Sequence, residues 1–447
     1  MSKELFGTDG IRGIPGQYPL DNQTLYWAGR SLGRYLNAAN TTPRVLIGMD
    51  TRESGPHLAA WIAAGLKDEN VLVSSAGVIS TPGIACVVRK KGFSAGVVIS
   101  ASHNPYHDNG VKLFADSGMK FPDAIEERIE DEILRQCKLP VASKAPRLLA
   151  NNSLDEEYLD FLRGCTVAGA NLSGMKIVLD CANGAATALG PALFRSLGAD
   201  VLAIHDKPNG RNINDNCGSL HPEDLQKKVV RESAALGVAF DGDADRAMLV
   251  SAGGRLVDGD GVLLVAARYL CSVGKLRGKT VVGTTMTNLG LERILAAEGL
   301  SLVRVPVGDR YVLEEMLRGC SNLGGEQSGH IIFLDDATTG DGLLTAVKIA
   351  CLVALRGPLD TLVRDLKVYP QTIVNVKVKS KPALESLSEV STILAEANHA
   401  LGSSGRIVLR YSGTEPKARV MVEAERAEDV ARWSQRLAAA VQSAIGA

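Results

Sequence analysis

The sequence of 447 residues has no excess of either charge and few aromatic side chains. Its 49 Lys and Arg residues oppose 50 Asp and Glu residues, which leaves a net charge of −1 with histidine neutral. Binding of nucleic acid or an anionic membrane through the overall field is therefore not expected, because it relies on a basic surface that releases counterions. The aromatic content of 4% also argues against a base-stacking surface. Any anionic ligand must be held by local clusters of charge.

Paired cysteines and long apolar runs are also absent. No two of the eight cysteines form a C-x-x-C pair, which excludes a zinc ribbon and a thioredoxin-type redox site. The first ten residues lack the apolar core of a secretory signal. The apolar runs at residues 262–267 and 349–355 fall far short of the ~18 residues that a membrane span requires. These absences predict a reduced, cytoplasmic protein without membrane contact.

The sequence does contain a threefold repetition of α/β units. Each unit reads as strand, helix, strand, helix and a third strand that runs into a polar loop, and continuous Val, Ile and Leu runs indicate buried strands. After residue 370 the pattern changes to an alternating strand, a helix, two more strands and a final amphipathic helix. The sequence predicts three related α/β domains with mixed sheets and helices, plus a smaller C-terminal α+β domain, around a central cleft. We place these domains at residues 1–150, 151–254, 255–368 and 369–447.

The first polar loop places a hydroxyl beside an imidazole. It reads Ser100-Ala-Ser-His-Asn-Pro105, and Lys112 follows. Ser102 next to His103 suits a phosphate carrier or an acyl nucleophile. The absence of a G-x-S-x-G elbow weakens the case for acyl chemistry. The alternative is an ordinary turn, because Asn-Pro pairs are common in turns.

The second polar loop, Asp241-Gly-Asp-Ala-Asp-Arg246, carries carboxylates at three alternate positions. Hard oxygen ligands of this kind suit Mg²⁺ or Ca²⁺. An EF-hand is excluded, because Arg246 and Ala252 stand where its Gly and Glu would be. Three acids beside a buried strand repel one another without a cation. The loop therefore predicts a Mg²⁺ site, with a solvated acidic turn as the alternative.

The third polar loop, residues 324–330 (GGEQSGH), interleaves Glu326, Ser328 and His330 with glycines. It predicts a small polar cup for sugar hydroxyls or an amine, with a glycine-rich turn as the alternative. The Asp-Gly pairs within residues 257–261 and 339–342 are interpreted as turns and joints between domains.

Two further segments have phosphate-binding composition. In the last domain a guanidinium-rich loop predicts a phosphate cradle, with a capped strand turn as the alternative; its residues are Arg410, Ser412, Gly413, Thr414 and Arg419. Near the N-terminus, Arg12 lies between glycines within residues 7–13. No strand pattern precedes that segment and no P-loop is present, so Arg12 either reaches a phosphate or belongs to an ordinary loop.

These loops, one per domain and in matching order, resemble the α-D-phosphohexomutase superfamily over essentially the entire chain. Residues 7–13, the GEQSGH loop and residues 307–311 (VGDRY) are most similar to the branch that acts on glucosamine phosphates. The resemblance implies an isomerase that interconverts glucosamine 6-phosphate and glucosamine 1-phosphate on the way to UDP-N-acetylglucosamine. Alternatives are a phosphomannomutase/phosphoglucomutase of the same superfamily, a catalytically silent phosphosugar-binding regulator and a Mg²⁺ phosphatase.

The resemblance also implies roles for individual residues. Ser102 would be the phosphoserine, and its phosphate would bind one Mg²⁺ per chain together with Asp241, Asp243 and Asp245. Further catalytic contacts would come from His103, Lys112, Arg12 and Arg246. The phosphosugar would be bound by Asp309, Glu326, Ser328, His330, Arg410, Ser412, Gly413, Thr414 and Arg419. A sugar 1,6-bisphosphate would act as activator, and the oligomeric state, monomer or homodimer, is left open.

Overall fold

The computed structural model describes residues 4–7, 9–39, 42–141, 143–412 and 416–447. The chain divides into two compact units. The first unit comprises Met1–Thr284 and Val305–Arg364, and the second comprises Thr285–Arg304 and Asp365–Ala447. Among the helices of the described ranges, none combines the length and the hydrophobicity that crossing a bilayer requires.

A first mixed sheet carries the serine loop. Its strands are β1 (Phe6–Gly7), β2 (Gly10–Gly13), β3 (Arg44–Met49), β4 (Leu72–Val78), β5 (Ala95–Ile99) and β6 (Asn109–Ala115). They lie in the order β1-β2-β6-β5-β3-β4. Strand β3 is parallel to β4 and β5, and the other pairs are antiparallel. The helices here are α1 (Asn22–Asn37), α2 (Gly55–Asp68), α3 (Thr81–Lys91), α4 (Asp123–Gln136) and α5 (Ser153–Gly164).

A second mixed sheet carries the acidic loop. Its strands are β7 (Lys176–Asp180), β8 (Asp200–Ile204), β9 (Leu236–Phe240), β10 (Ala247–Ser251) and β11 (Leu256–Val257). They lie in the order β11-β10-β9-β7-β8, with β7 parallel to β8 and β9 and with β10 antiparallel to β9 and β11. The helices that accompany this sheet are α6 (Ala186–Ser196) and α7 (Glu223–Arg231).

The third repeat follows. In chain order its elements are α8 (Gly259–Ser272), β12 (Thr280–Thr284), α9 (Leu289–Ala297), β13 (Ser301–Val305), α10 (Asp309–Glu315), β14 (Leu323–Gly325), β15 (Ile331–Phe333), α11 (Gly342–Arg356) and α12 (Leu359–Leu362). In the first unit, β12 pairs in parallel with β14, which pairs antiparallel with β15. Short 3₁₀ turns lie at Gly218–Leu220, Arg277–Lys279, Leu384–Ser386 and Gly402–Ser404, and a π-helical turn lies at Met316–Cys320.

The C-terminal part of the second unit is an antiparallel sheet with two helices. Its elements are β16 (Gln371–Lys377), α13 (Ser388–Leu401), β17 (Gly405–Tyr411), β18 (Lys417–Ala424) and α14 (Ala427–Ile445). Strand β18 is central and pairs with β16 and β17. Helix α14 buries one apolar face, which consists of Val430, Trp433, Leu437, Val441 and Ile445. Burial of this periodic apolar face against the sheet stabilises the helix.

In each repeat, the polar loop joins the third strand to an antiparallel neighbour. The serine loop connects β5 to β6, the acidic loop connects β9 to β10, and the GEQSGH loop connects β14 to β15. The buried third strands are continuous apolar runs, such as Ala95–Ile99 and Leu236–Phe240. The predicted fold class, three α/β domains with mixed sheets and a C-terminal α+β domain, is confirmed.

Three segments differ from their interpretation as turns or loops. Residues 257–261 and 339–342 each contain a helix start: Asp258 and Asp341 accept hydrogen bonds from the backbone N–H groups of Gly261 and Leu344 and cap α8 and α11. Asp before a helix is a common N-cap, and this signal was present in the sequence. Within residues 7–13, β2 forms a strand that pairs with β6. Its glycines give no alternating pattern, so only the tertiary pairing reveals it.

Candidate active site

Ser102 lies at the tip of the β5–β6 connection, buried and with a left-handed backbone (φ +50°). The Oγ of Ser100 accepts the N–H of Ser102 at 2.9 Å, and this bond helps hold the unusual conformation. Gly242 of the acidic loop approaches from the other side. A Cβ at Gly242 would lie 2.5 Å from the Ser102 carbonyl oxygen, so only glycine lets the two loops come this close.

The Ser102 hydroxyl contacts two predicted site residues. It donates to Asp241 Oδ2 at 2.5 Å, and its Oγ lies 3.3 Å from His103 Nδ1. Burial, with a smaller contribution from the charge of Arg246, lowers the pKa of His103 to about 4. The structure therefore brings the predicted nucleophile, its neighbouring imidazole and the acidic loop together.

The three carboxylates of the acidic loop converge on one point. One oxygen from each of Asp241, Asp243 and Asp245 lies within 4.8 Å of the other two, and all three residues are buried. Burial and the charges of Asp245 and Asp243 raise the pKa of Asp241 well above its usual range. Among the described residues, neither Asp243 Oδ1 nor Asp245 Oδ1 has a hydrogen-bond partner. Buried oxygens without donors are what a hard divalent cation would coordinate, so these residues fit a metal site.

The other oxygen of Asp243 is held by the first repeat. Lys112 Nζ, on β6, lies 2.9 Å from Asp243 Oδ2, and the Thr81 hydroxyl, at the start of α3, donates to the same atom at 2.5 Å. Burial alone would lower the pKa of Lys112, but the carboxylates of Asp243, Asp9 and Asp245 outweigh it and raise the pKa. Lys112 is therefore a fixed positive charge in this arrangement.

A second group of ion pairs continues from Lys112. Asp9 lies 3.2 Å from Lys112 Nζ and accepts hydrogen bonds from Arg12 at 2.5 Å and from Lys120 at 2.6 Å. Lys120 also donates to Asp309 at 2.6 Å. Burial would raise the pKa of Asp9, but the charges of Lys112, Lys120 and Arg12 hold it well below its usual range. Arg12 and Asp309 thus belong to one network with Lys112.

The third polar loop contributes a fixed histidine. His330 Nε2 accepts the N–H of Gly340 at 3.1 Å, and its Nδ1 lies 3.7 Å from Asp245 Oδ2. A Cβ at Gly340 would fall 2.3 Å from Nε2, so the imidazole lies against bare backbone. When the ring is neutral, an accepting Nε2 puts the proton on Nδ1, facing Asp245. Burial alone would lower the pKa of His330, but the charges of Asp245 and Asp309 outweigh it and raise the pKa.

The remaining predicted residues of the first unit lie around this histidine and the acidic loop. Glu326 Oε1 accepts the N–H of Gly308 at 3.0 Å, and Ser328 is partly exposed in the same loop. Arg246 donates its backbone N–H to Asp241 at 3.1 Å, and its Nε lies 3.7 Å from Asp245.

Several partners of these side chains were not predictable from the sequence. Thr81 and Lys120 carry no motif of their own, and each lies more than 100 residues along the chain from the side chains that it contacts. Asp9 alone had a signal, since it stands within the same glycine-rich segment as Arg12.

In the second unit, two arginines of the predicted phosphate cradle lie directly opposite each other on adjacent strands. Arg410 on β17 is in register with Arg419 on β18. Burial and the charge of Arg419 lower the pKa of Arg410. Like charges directly opposite one another destabilise a sheet, and an anion between them relieves the repulsion. Ser412 is buried beside them, and Gly413 and Thr414 lie outside the described residues.

Sequence models of the phosphoglucomutase/phosphomannomutase family match four stretches of the chain. The α/β/α domains I, II and III match residues 3–138, 156–254 and 258–369, and the C-terminal domain matches residues 373–440. The phosphoglucosamine mutase of Solibacter usitatus (strain Ellin6076) is 51% identical over 447 residues, covering 100% of both chains. That of Koribacter versatilis (strain Ellin345) is 48% identical over 99% of this chain and 98% of its own.

The chain belongs to the phosphoglucosamine mutase family. The resemblance predicted from the four loops is therefore confirmed, including the branch within the superfamily. Members of the phosphoglucosamine mutase family are isomerases that act by phosphoryl transfer. The domain boundaries and the roles of the individual site residues stay predictions.

Solved structures share the fold. A phosphoglucomutase/phosphomannomutase family protein from Burkholderia thailandensis matches with a TM-score of 0.81 at 24% identity, covering 99% of this chain and 98% of its own. The N-acetylphosphoglucosamine mutase of Aspergillus fumigatus, in complex with GlcNAc-6P and magnesium, matches with a TM-score of 0.66 at 19% identity, covering 98% and 96%. At these identities the likeness supports the architecture alone.

Proposed function

We propose that the chain interconverts glucosamine 6-phosphate and glucosamine 1-phosphate through phosphorylated Ser102 and a 1,6-bisphosphate intermediate. The observation that carries this proposal is the 2.5 Å hydrogen bond from the Ser102 hydroxyl to Asp241 within the three-carboxylate cluster. A hydroxyl in that position suits a phosphoryl carrier next to a cation site. The substrate comes from the family. We place the reaction in the cytoplasm, as a step toward UDP-N-acetylglucosamine.

The proposed reaction has two transfers that mirror each other. In the first, the bond between phosphorus and Ser102 Oγ breaks while a bond from phosphorus to O1 of glucosamine 6-phosphate forms, and the O1 hydroxyl loses its proton. In the second, the 6-phosphoryl group of the bisphosphate returns to Ser102 Oγ, and O6 regains a proton. The enzyme is phosphorylated at the start and at the end of each cycle. A trace of sugar 1,6-bisphosphate activates an unphosphorylated chain because it can donate a phosphoryl group to Ser102.

Asp241, Asp243 and Asp245, together with the phosphate on Ser102, would hold one Mg²⁺ per chain. Two buried carboxylate oxygens, Oδ1 of Asp243 and Oδ1 of Asp245, accept no hydrogen bond from the described residues. They support this assignment, because a carboxylate oxygen removed from water needs a donor or a cation. When bound, the cation supplies Lewis-acid stabilisation of the charge on the transferring phosphoryl group.

The cations of the first unit would stabilise the remaining negative charge. A phosphoserine carries a charge of about −1.5 to −2 at neutral pH. Lys112, Arg12 and Arg246 are positioned by carboxylates before any substrate arrives, so they need no reorganisation during transfer. We assign them, with His103, to the reacting centre.

We assign the sugar to the third repeat and its non-reacting phosphate to the second unit. Glu326, Ser328, His330 and Asp309 offer acceptors and donors for hydroxyls and for the amine. A cavity of about 190 Å³ beside Asp309 and His330 leaves room for a ligand. The opposed arginines, Arg410 and Arg419, support phosphate binding, and with them we assign Ser412, Gly413 and Thr414 to that group.

The test measures the conversion of sugar 6-phosphates to 1-phosphates by ³¹P NMR, with the purified protein, Mg²⁺ and a trace of glucose 1,6-bisphosphate. Glucosamine 6-phosphate, glucose 6-phosphate and mannose 6-phosphate are supplied in parallel. We expect the 1-phosphate signal to form fastest from the amino sugar. Equal or faster turnover of glucose or mannose phosphates would instead indicate a phosphoglucomutase/phosphomannomutase. Release of free phosphate, or no reaction with any sugar, would indicate a phosphatase or a binding protein.

A further inference from the structure

We propose that Arg52 is a positioning residue for the nucleophile loop, residues 100–108, and fixes Ser102 for phosphoryl transfer; this rests on the proposed function of Ser102. Arg52 follows β3, about fifty residues before the loop. Its side chain has no exposed surface, although it carries a full positive charge. No motif of the sequence analysis includes it.

All five N–H groups of the Arg52 guanidinium are used. Nε donates to the Asp50 carboxylate at 2.9 Å. The other four donate to backbone carbonyls of the nucleophile loop, which are those of Ser102 at 2.9 Å, Asn104 at 2.7 Å, Asp108 at 3.0 Å and Pro105. A guanidinium has no donors beyond these five, so the loop and Asp50 saturate it.

The same group also reaches the backbone of Ser102 from its N–H side. Asp50 Oδ2, which accepts from Arg52, also accepts the Ser100 hydroxyl at 2.6 Å. The Ser100 Oγ in turn accepts the Ser102 N–H at 2.9 Å. Both polar groups of the Ser102 backbone are thus tied to Arg52, one directly and one through Asp50 and Ser100. These bonds hold a serine at φ +50°, a left-handed conformation that residues other than glycine rarely adopt.

A second donor grips the loop from the second repeat. Asn214 Nδ2 donates to the carbonyls of Ser102 at 2.9 Å and Asn104 at 3.0 Å. These are two of the carbonyls that Arg52 holds. Asn214 is therefore a matched probe of the same loop that involves no buried charge.

The hydrogen bonds of Arg52 indicate that this residue positions the nucleophile loop rather than stabilising the fold as a whole. Water could satisfy the carbonyl of an exposed residue such as Pro105 at little cost, whereas burying a guanidinium carries a desolvation penalty. Here that penalty is incurred at the loop that carries the nucleophile. Displacing a reacting group by about 1 Å can slow a reaction on the order of 100-fold. We therefore expect loss of Arg52 to act on the rate of transfer rather than on substrate binding.

The test is Arg52→Lys, which keeps the charge but replaces the planar five-donor group with a point ammonium. We expect kcat to fall on the order of 100-fold while KM for the sugar phosphate changes less than about twofold. The matched control is Arg30→Lys, which makes the same change at an arginine on α1 that pairs with Glu69. The control should keep kcat and KM near those of the unmodified protein. Circular dichroism verifies that both variants are folded.

Each outcome decides the proposal. A folded Arg52→Lys protein with kcat within about threefold of normal, or with a rise in KM that accounts for the loss, overturns it. If Arg52→Lys does not fold, Asn214→Ala takes its place, with kcat reduced about tenfold at constant KM as the expected result and an unchanged kcat as the contrary one. Ser102→Ala is measured in parallel. Full turnover by that variant refutes the proposed function, whereas an inactive Ser102→Ala beside a normal Arg52→Lys refutes this inference alone.

Discussion

Charged side chains are arranged differently at two places in the molecule: around the nucleophile loop of the first unit, and at the arginine end of the β17–β18 hairpin in the second unit. Around Ser102, the cations Arg52 and Lys112 each meet a carboxylate. At the hairpin end, Arg410 meets Arg419. Paired charges fix geometry before a ligand arrives, whereas opposed like charges favour the arrival of an anion. The difference separates residues that position from residues that bind.

The hairpin contains its own control for this argument. Four residues from Arg410, Arg406 is in register with Glu423 and donates to it at 2.5 Å. Glu423 is fully buried. The same two strands therefore carry an attractive pair at one end and a repulsive pair at the other. The repulsive pair lies next to the loop that the sequence predicts to bind phosphate.

The largest expected effect comes from removing the proposed carrier. Ser102→Ala should lower turnover by about 10⁴-fold or more, because no other hydroxyl replaces the covalent step. ³¹P NMR of the 6-phosphate to 1-phosphate conversion measures it. Ser117→Ala, in an exposed turn, is the matched control and should leave turnover unchanged. Near-normal turnover by Ser102→Ala would mean that this loop positions something other than a phosphoryl carrier.

The next effect concerns the acidic cluster. Asp243→Asn should raise the Mg²⁺ concentration for half-maximal activity by about 100-fold, since even outer partners of a metal site are worth about 10- to 100-fold in affinity. Direct Mn²⁺ binding, followed by electron paramagnetic resonance, gives a readout that needs no turnover. Asp116→Asn, at an exposed position, is the control. Unaltered Mn²⁺ affinity in the Asp243 variant would contradict a metal-binding role for this carboxylate.

A smaller effect separates the two ends of the hairpin. Arg410→Ala should raise KM about 10- to 100-fold, the range expected for a lost charge-assisted contact, and should leave stability unchanged or slightly improved. Arg406→Ala should instead destabilise the protein by about 3–5 kcal/mol, because it leaves the Glu423 carboxylate buried without the cation that pairs with it. Unfolding temperatures and KM are measured for both variants. Equal losses of stability would break the distinction between them.

The last prediction concerns stability alone and tests the buried carboxylate of Asp341. Asp341 caps α11 and accepts from Tyr158 at 2.8 Å, and burial raises its pKa to about 6. The folded protein then binds this proton more tightly than the unfolded chain does. The resulting stabilisation is present below about pH 4 and is lost as the pH rises through about 6, a change of about 3 kcal/mol.

Asp341→Asn removes this dependence and keeps the cap. The unfolding temperature of the unmodified protein should therefore fall relative to that of Asp341→Asn between about pH 4 and about pH 7. Differential scanning fluorimetry across that range measures the difference. A difference that stays constant with pH would show that Asp341 titrates normally.

The central strands of the fold were predictable because they are buried on both faces. The continuous apolar runs that predict buried strands correspond to β5, β7 and β9. The antiparallel strands β6, β10 and β15 were missed. Each follows a polar loop, and hydrophobic periodicity predicts the loop but not the strand after it. The hairpin partner is set by pairing with the preceding strand, which a local pattern does not contain.

The residues of the candidate site also divide into those that a local motif predicts and those that only the fold brings together. Ser102 and the three aspartates occur in short motifs whose chemistry is legible from neighbouring residues. Arg52, Thr81 and Asn214 act on those motifs from sites 50 to 162 residues away along the chain. A lone arginine after a strand has no spacing that signals its role. Such partners emerge only when the fold brings the segments together.

The saturated guanidinium beneath Ser102 has a calorimetric consequence. A loop that is already ordered has little conformational entropy left to lose when a sugar phosphate binds. The heat-capacity change of binding should then report the apolar surface covered by the ligand, without a large contribution from folding of residues 100–108. Inhibitors aimed at this part of the protein would meet a rigid template, and their affinity should improve most when they are themselves rigid.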